Sequence, residues 1–214
     1  MTLRSLDVPS IRIITTIFAL FIFTNATMAE DFLGENWDKV LGTPPAIGSV
    51  EEQDDYLALI EIQESRTEAE CAEAAAEEKV TLKSLFGGDN GPLSDDEVYA
   101  NTFLFFKYFA MAGLKTKSAK SHFARQRPFV RFNDIVPCIK KPNPNTSYPS
   151  GHTSIARVLA YALSKKYPER RLQFFKRAND VSKNRMIGGV HFPSDVVAGK
   201  KLADYLAKTY FGLN

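Results

Sequence analysis

Asn184-Arg185-Met186-Ile187-Gly188-Gly189-Val190-His191-Phe192-Pro193-Ser194-Asp195 places an arginine, a histidine and an aspartate around a helix break. Pro193 stops any continuous helix between His191 and Asp195 and suits the first turn of a new one. With Ser194 as N-cap, Asp195 falls in the first turn of the last helix. There it can reach back to hold one imidazole nitrogen of His191, leaving the other free and nucleophilic. A first-turn acid that merely complements the helix dipole is the bland reading of the same residue. The break also divides two helical patterns. One covers Arg170 to Val181; the other runs from Ser194 towards Tyr210 with Leu202, Tyr205, Leu206 and Tyr210 on one stripe.

Moving outward, Tyr148-Pro149-Ser150-Gly151-His152-Thr153 puts a turn before a helix that starts near Thr153 and carries Ile155, Val158, Leu159 and Ala162 on one side. Helix-end amides and the positive end of the dipole favour an anion at such a turn. Gly151 lets the backbone come close, the Ser150 hydroxyl adds a donor, and His152 is placed to give a proton to a leaving oxygen. Further upstream, Lys120-Ser121-His122-Phe123-Ala124-Arg125-Gln126-Arg127-Pro128 sets Lys120 and Arg127 seven apart, on one face of a two-turn helix. A guanidinium fork and an ammonium point charge together suit a tetrahedral dianion. An isolated basic run of this kind is more often a solvated helix face. The chain has three histidines, His122, His152 and His191, and all fall inside these three clusters.

The rest of the chain reads as helical scaffold. Ser94 and Glu97 form a capping box for a helix whose apolar positions Tyr99, Phe103, Phe106 and Ala110 recur at helical spacing and are expected in the core. Glu51 to Phe86 is rich in Glu, Ala and Leu and free of Pro and Gly, so one long or two consecutive helices are expected, their acids forming a solvated face. Leu41 to Gly48, with Pro44-Pro45, belongs to an N-terminal arm over residues 30–50. With no period-2 strand or repeat, residues 51–214 are expected to form a single all-α helical bundle of about six helices. At 214 residues, 44% apolar, the chain suffices for one core and not for two ordinary domains. A net charge of +2 and a pI near 8.4 exclude a broad basic field for a nucleic acid polymer or an anionic membrane, so anion recognition must be local.

Residues 1–29 read as a secretory signal peptide. Arg4 and Arg12 precede an apolar run from Ile13 to Phe23, then small and polar residues lead to a cut after Ala29; retention as an N-terminal anchor is the alternative. Beyond residue 29 no apolar run is long enough to cross a bilayer. In an exported chain the only two cysteines, Cys71 and Cys138, are permitted to form a disulfide, and two buried thiols are the other reading.

Lys120-x6-Arg127-Pro128, Pro149-Ser150-Gly151-His152 and Arg185-x5-His191-x3-Asp195 resemble the three-part signature of the type 2 phosphatidic acid phosphatase (PAP2) superfamily, which also includes vanadium haloperoxidases. Within it the chain is most similar to bacterial class A non-specific acid phosphatases, through its exported context, His122 and Arg125, Tyr148 and the Pro44-Pro45 arm. The similarity covers about residues 40 to 212. It implies an all-α bundle of the PAP2 and vanadium haloperoxidase type. It also implies His191 as nucleophile, Asp195 as its orienting partner, His152 as general acid, and Lys120, Arg127, Ser150, Gly151 and Arg185 as phosphate ligands. Asn184 departs from the family pattern, which has Ser before the arginine, and puts the positioning of Arg185 in question.

Together these readings describe an exported, periplasmic or secreted enzyme that hydrolyses phosphate monoesters through a phosphohistidine. Three cations and helix-end amides stand in for a metal, so no metal or other cofactor is expected. Its partners are small phosphomonoesters and inorganic phosphate, with room for a homo-oligomer. The alternatives are a phosphate-binding module without turnover, and a lipid or isoprenoid phosphate phosphatase or vanadate-dependent haloperoxidase of the same superfamily.

Overall fold

The computed structural model describes residues 34–89 and 91–213, so the expected signal peptide at residues 1–29 lies outside the described residues. In chain order the helices are α1 (Trp37–Leu41), α2 (Val50–Ser65), α3 (Glu68–Ala76), α4 (Leu82–Phe86), α5 (Asp95–Ala100), α6 (Thr102–Phe123), α7 (Pro128–Arg131), α8 (Gly151–Lys166), α9 (Arg171–Ile187) and α10 (Pro193–Tyr210). A 3-10 turn, Pro168–Arg170, precedes α9. Among the described residues no strand forms, and pairing is limited to one isolated bridge between Gln126 and Thr146. The all-α expectation holds, with ten helices among the described residues in place of about six.

The extra helices come from capping residues inside segments that read as continuous. Ser49 accepts from the Glu52 amide at 3.2 Å to start α2. Thr67 and Glu70 close a capping box on α3, and Thr81 with Ser84 does the same for α4. The acid-rich stretch is therefore cut into three pieces, each restarted by a side chain that satisfies otherwise orphaned amides. Its acids are not all solvated: Glu52, Asp55 and Glu77 are buried against arginines. The α1 helix was not legible in the arm, and it drives Trp37 and Leu41 into the core.

At the centre lies α8, buried through Ile155, Ala156, Val158, Leu159, Ala160 and Leu163, with Arg157 and Tyr161 on its one half-open edge. Around it pack α6 through Ala112 and Ala119, α9 through Phe174, Ala178 and Val181, and α10 through Leu202, Ala203 and Leu206. A helix enclosed over most of its surface must satisfy its buried hydroxyls as well. Ser154 and Ser164 manage this by donating to the carbonyls of Ser150 at 2.9 Å and Ala160 at 2.6 Å.

The expected core stripe on α5 and α6 is reversed. Tyr99, Phe103, Phe106 and Ala110 face outward, with Tyr99 85% and Phe103 84% exposed. The buried face carries Phe105, Ala112, Thr116 and Ala119, where small residues let α8 approach. Both faces of α6 are apolar at helical spacing, so periodicity alone could not choose between them.

Close approach of α8 and α10 sets the position of the Pro149-Ser150-Gly151 turn. The Ser150 amide donates to the Asp195 carbonyl at 2.9 Å, and Gly199 of α10 sits beneath the same turn. A Cβ on Gly199 would lie 2.7 Å from the Ser150 carbonyl oxygen and 2.9 Å from Thr153 Cβ. Gly199→Ala is therefore expected to lower stability by about 1–3 kcal/mol through overpacking. Urea unfolding checks this, and an unchanged midpoint would contradict close contact at Gly199.

Candidate active site

The tight connection between α9 and α10 brings Arg185, His191 and Asp195 together. Gly189 turns the chain at φ +71°, a conformation that L side chains seldom take, and an added Cβ would stand 3.1 Å from Pro137 Cα. Phe192, rather than the expected Ser194, is the N-cap of α10. Ser194 lies inside the helix, where its amide donates to Asp55 Oδ1 at 2.9 Å and its hydroxyl hydrogen-bonds to Asp55 Oδ2.

Asp195 Oδ2 accepts from the Phe192 amide at 2.9 Å and lies 3.2 Å from His191 Nδ1. A carboxylate only accepts, so Nδ1 carries the proton and Nε2 the lone pair. Nε2 stands 3.2 Å from Arg127 Nη1, which also donates to the Val190 carbonyl at 2.7 Å. Burial, together with the charges of Lys120 and Arg127, holds the His191 imidazole well below its usual pKa, and hence neutral. Burial pushes the Asp195 carboxyl up, while the Arg125 guanidinium, the Phe192 amide and Lys120 oppose it.

Arg185, near the end of α9, donates through Nη2 to the Ala74 carbonyl at 2.6 Å and to Glu77 Oε2 at 3.0 Å. Its Nε is buried without a hydrogen-bond partner, and an orphaned charged donor of this kind is costly unless a ligand completes it. The other oxygen of Glu77 accepts from Asn184 Nδ2 at 2.9 Å and Arg177 Nη2 at 2.7 Å. Asn184 therefore shares a carboxylate with Arg185, which ties the departure from the family pattern to the placement of that guanidinium.

Lys120 and Arg127 do not lie on one helix. The α6 helix ends at Phe123, and Ala124 takes a left-handed conformation at φ 49°. Arg127 is then the N-cap of α7. The two cations still act on each other, because burial and the Arg127 charge bring Lys120 down to about 7 and burial brings Arg127 down to about 10. Lys120 Nζ donates to the carbonyls of Thr146 and Ser147, both at 2.8 Å.

His152, in the first turn of α8, meets the Glu77 carbonyl through Nε2 at 3.0 Å. A carbonyl accepts, so Nε2 is the protonated nitrogen and Nδ1 is left for proton exchange. Burial, with the Arg185 charge, lowers this histidine to about 3. The Ser150 hydroxyl accepts from Thr153 Oγ1 at 2.9 Å, and its amide is taken by Asp195, so that amide is not free for an anion as expected. His122, the third histidine, pairs with Asp38 at 2.8 Å on the surface.

A cavity of about 350 Å³ unites part of this set. Arg127, His152, Arg185 and His191 line it, with Val190, Ile139, Glu78 and the loop Lys140-Lys141-Pro142-Asn143. Such a volume suits a small ligand. Lys120, Ser150, Gly151 and Asp195 stand outside that lining; of these, Lys120 and Asp195 act on His191 or its partners from behind. Sequence reasoning missed Asp55 and Glu77. Asp55 Oδ2 accepts from Arg125 Nη2 at 2.8 Å, and Arg125 Nη1 reaches Asp195 Oδ1 at 2.8 Å. Arg125 itself stacks 4.0 Å from the Phe192 ring. Nothing in the acidic segment marks these two carboxylates apart from their exposed neighbours. Among the described residues no three of His, Cys, Asp or Glu group as a metal-binding set. Cys71 and Cys138 are joined by a disulfide that ties α3 to the segment before the cavity loop.

An all-α protein with a cavity lined by buried cations and a histidine held by a carboxylate is the class that fold and site define. The chain belongs to the PAP2 superfamily, whose family model matches residues 101–211. It is 42% identical over 88 residues to a non-specific acid phosphatase of Salmonella typhimurium, covering 40% of this chain and 35% of that protein. It is 39% identical over 94 residues to one from Providencia stuartii, covering 42% and 38%. The chain thus spans little more than a third of the length of these curated relatives. Among solved structures, a bacterial vanadium-dependent iodoperoxidase is 18% identical with a TM-score of 0.56, covering 78% of this chain and 52% of the other, a likeness of fold.

Arg185→Lys keeps the charge and removes the orphaned Nε. Inorganic phosphate binding, followed by calorimetry, is expected to weaken about 10- to 100-fold in this variant, as for a charge-assisted hydrogen bond. Equal affinity would show that Nε does not face the ligand.

Proposed function

We propose that the protein is an exported acid phosphatase that hydrolyses phosphate monoesters through a phosphohistidine on His191, without a metal. The observation that carries this reading is the lone pair of His191 Nε2, held by Asp195 on the opposite nitrogen and facing Arg127 in a cavity also lined by Arg185 and His152. The names of the acid phosphatase relatives supply the substrate class.

In the first step the Nε2 lone pair forms a bond to phosphorus and the P–O bond to the leaving alcohol breaks. The alcohol takes a proton from His152. In the second, water attacks phosphorus, the P–N bond breaks, His152 accepts the water proton, and neutral His191 and inorganic phosphate result. Arg127 and Arg185 hold the phosphoryl oxygens as charge develops, and the Lys120 charge adds to the field from outside the cavity lining. Ser150 and Gly151 shape the helix end behind them. Asp195 stabilises the imidazolium-like ring during transfer.

The depressed His152 explains why such an enzyme would favour acid. Alone, a group near 3 is neutral at pH 5 and cannot donate. A phosphate ester with its second pKa near ~6 carries the missing proton into the site as the monoanion. Neutral His152 with a monoanion is the same protonation state as charged His152 with a dianion, and the dianion stabilises the charged ring. Loss of charge from Lys120 near 7 works in the same direction.

Export is supported by the Arg-led apolar segment before Ala29 and by the Cys71–Cys138 disulfide, a bond that persists in oxidising compartments. No helix among the described residues is long and apolar enough to cross a membrane.

Activity towards p-nitrophenyl phosphate is expected to survive chelator and to be inhibited by vanadate. Its kcat/KM is expected to fall about tenfold per pH unit above about pH 6, with no acid-side loss near 6.5, because His191 stays neutral far below that value. A chelator-sensitive rate, or a profile that rises from pH 6 to 8, would overturn this mechanism. His152→Ala is expected to cost about 10²- to 10⁴-fold on alkyl phosphates and clearly less on p-nitrophenyl phosphate, whose leaving group needs little protonation. Equal losses on both would remove His152 as the acid.

A further inference from the structure

His152 marks the side of the cavity on which the alcohol departs, so the lining residues beyond it meet the leaving group. Its Nε2 meets the Glu77 carbonyl, and the next residue, Glu78, accepts from the Lys140 amide at 2.6 Å. That bond holds one side of the loop Lys140-Lys141-Pro142-Asn143 at the end of α3. On the other side the Lys141 ammonium lies 5.4 Å from the ring centroid of Phe129, in the α7 helix that Arg127 caps. The loop therefore bridges the mouth of the cavity between α3 and α7, and the disulfide from Cys138 to Cys71 of α3 anchors it just upstream.

The charge at this mouth takes no part in the two transfer steps. Both lysines are exposed, and neither ammonium forms an ion pair among the described residues. One acid lines the cavity beside them, Glu78, which is engaged by the loop amide and whose charge also acts on Arg185. Two ammoniums against one carboxylate leave a positive rim outside the place of the reacting phosphoryl group. We propose that Lys140 and Lys141 form a subsite for a second anion on the leaving group, so that the preferred substrates are phosphomonoesters whose alcohol carries a phosphate or a carboxylate. This rests on the phosphatase reading and names its substrate class. The alcohol, protonated by His152, extends along Glu78 and the loop, and its far end lies beside the two ammoniums. Point charges on flexible stems suit an anion whose position varies with the length of the alcohol.

Steady-state kinetics of the purified protein at about pH 5.5, where a carboxylate of ordinary pKa is ionised, test the proposal. The substrates are the 3-carboxypropyl, 3-phosphonopropyl, 3-hydroxypropyl and 3-aminopropyl esters of phosphate, which share a primary alcohol and differ at the far end. The two anionic esters are expected to exceed the hydroxypropyl ester about 2- to 30-fold in kcat/KM, as for two exposed ion pairs, and the aminopropyl ester to fall below it. The gain should lie in KM and shrink with added salt. Lys140→Ala with Lys141→Ala should remove it and leave hydroxypropyl turnover unchanged, because the main-chain amide that binds Glu78 is retained. Lys140→Glu with Lys141→Glu should reverse the order of the charged esters. A gain for either anionic ester that the double alanine variant loses supports the subsite and shows which anion it takes. Equal kcat/KM for all four, or a gain that survives the double alanine variant, would overturn the proposal and leave the phosphatase reading in place. So would a preference of the unaltered protein for the aminopropyl ester, which would assign the mouth to Glu78. No turnover of any ester, nor of p-nitrophenyl phosphate, would sink the phosphatase reading and this proposal with it.

Discussion

The structure turns on an excess of buried positive charge beside one cavity. Arg185 has Glu77, and Arg125 has Asp55 and Asp195. Arg127 and Lys120 hydrogen-bond to main-chain carbonyls instead of carboxylates. Removing a cation from water without a counter-ion is expensive, and either a shifted pKa or an anionic ligand relieves that cost. The depression of Lys120 to about 7 and the orphaned Nε of Arg185 report the same imbalance. The tetrahedral dianion of the proposed function would correct both at once.

The surrounding layers make that imbalance sustainable. Glu77 stands behind Arg185 and binds Asn184 and Arg177 too, so one carboxylate fixes three donors on α9. Asp55, from α2, fixes Arg125 and the first turn of α10, and Arg125 fixes Asp195. The order of the His191 ring therefore reaches back through three residues to a helix that sequence alone treats as acidic surface. Gly199 and the enclosed α8 bring the second histidine to the same cavity.

The candidate residues around the α9–α10 break were legible in the sequence, and the side chains that support them were not. Arg185, His191 and Asp195 crowd into one short break, so local geometry alone brings them together. His152 reaches the same cavity from a separate segment, and its place there depended on resemblance. Lys120 and Arg127 were placed on the wrong backbone, since nothing in the spelling announces the left-handed Ala124. Asp55 and Glu77 were missed because burial of one acid among many is decided by distant arginines. The outward Phe103 line failed for a different reason: α6 is apolar on two faces, and only the packing of α8 selects one.

The central claim is that the buried cations serve a phosphoryl group bonded to His191. The most direct measurement is rapid acid-free quenching of the protein with ³²P-labelled p-nitrophenyl phosphate, followed by peptide mapping. The expected result is an alkali-stable, acid-labile label on the peptide that contains His191, absent in His191→Ala. Turnover with label on another residue, or undiminished turnover in His191→Ala, would contradict it.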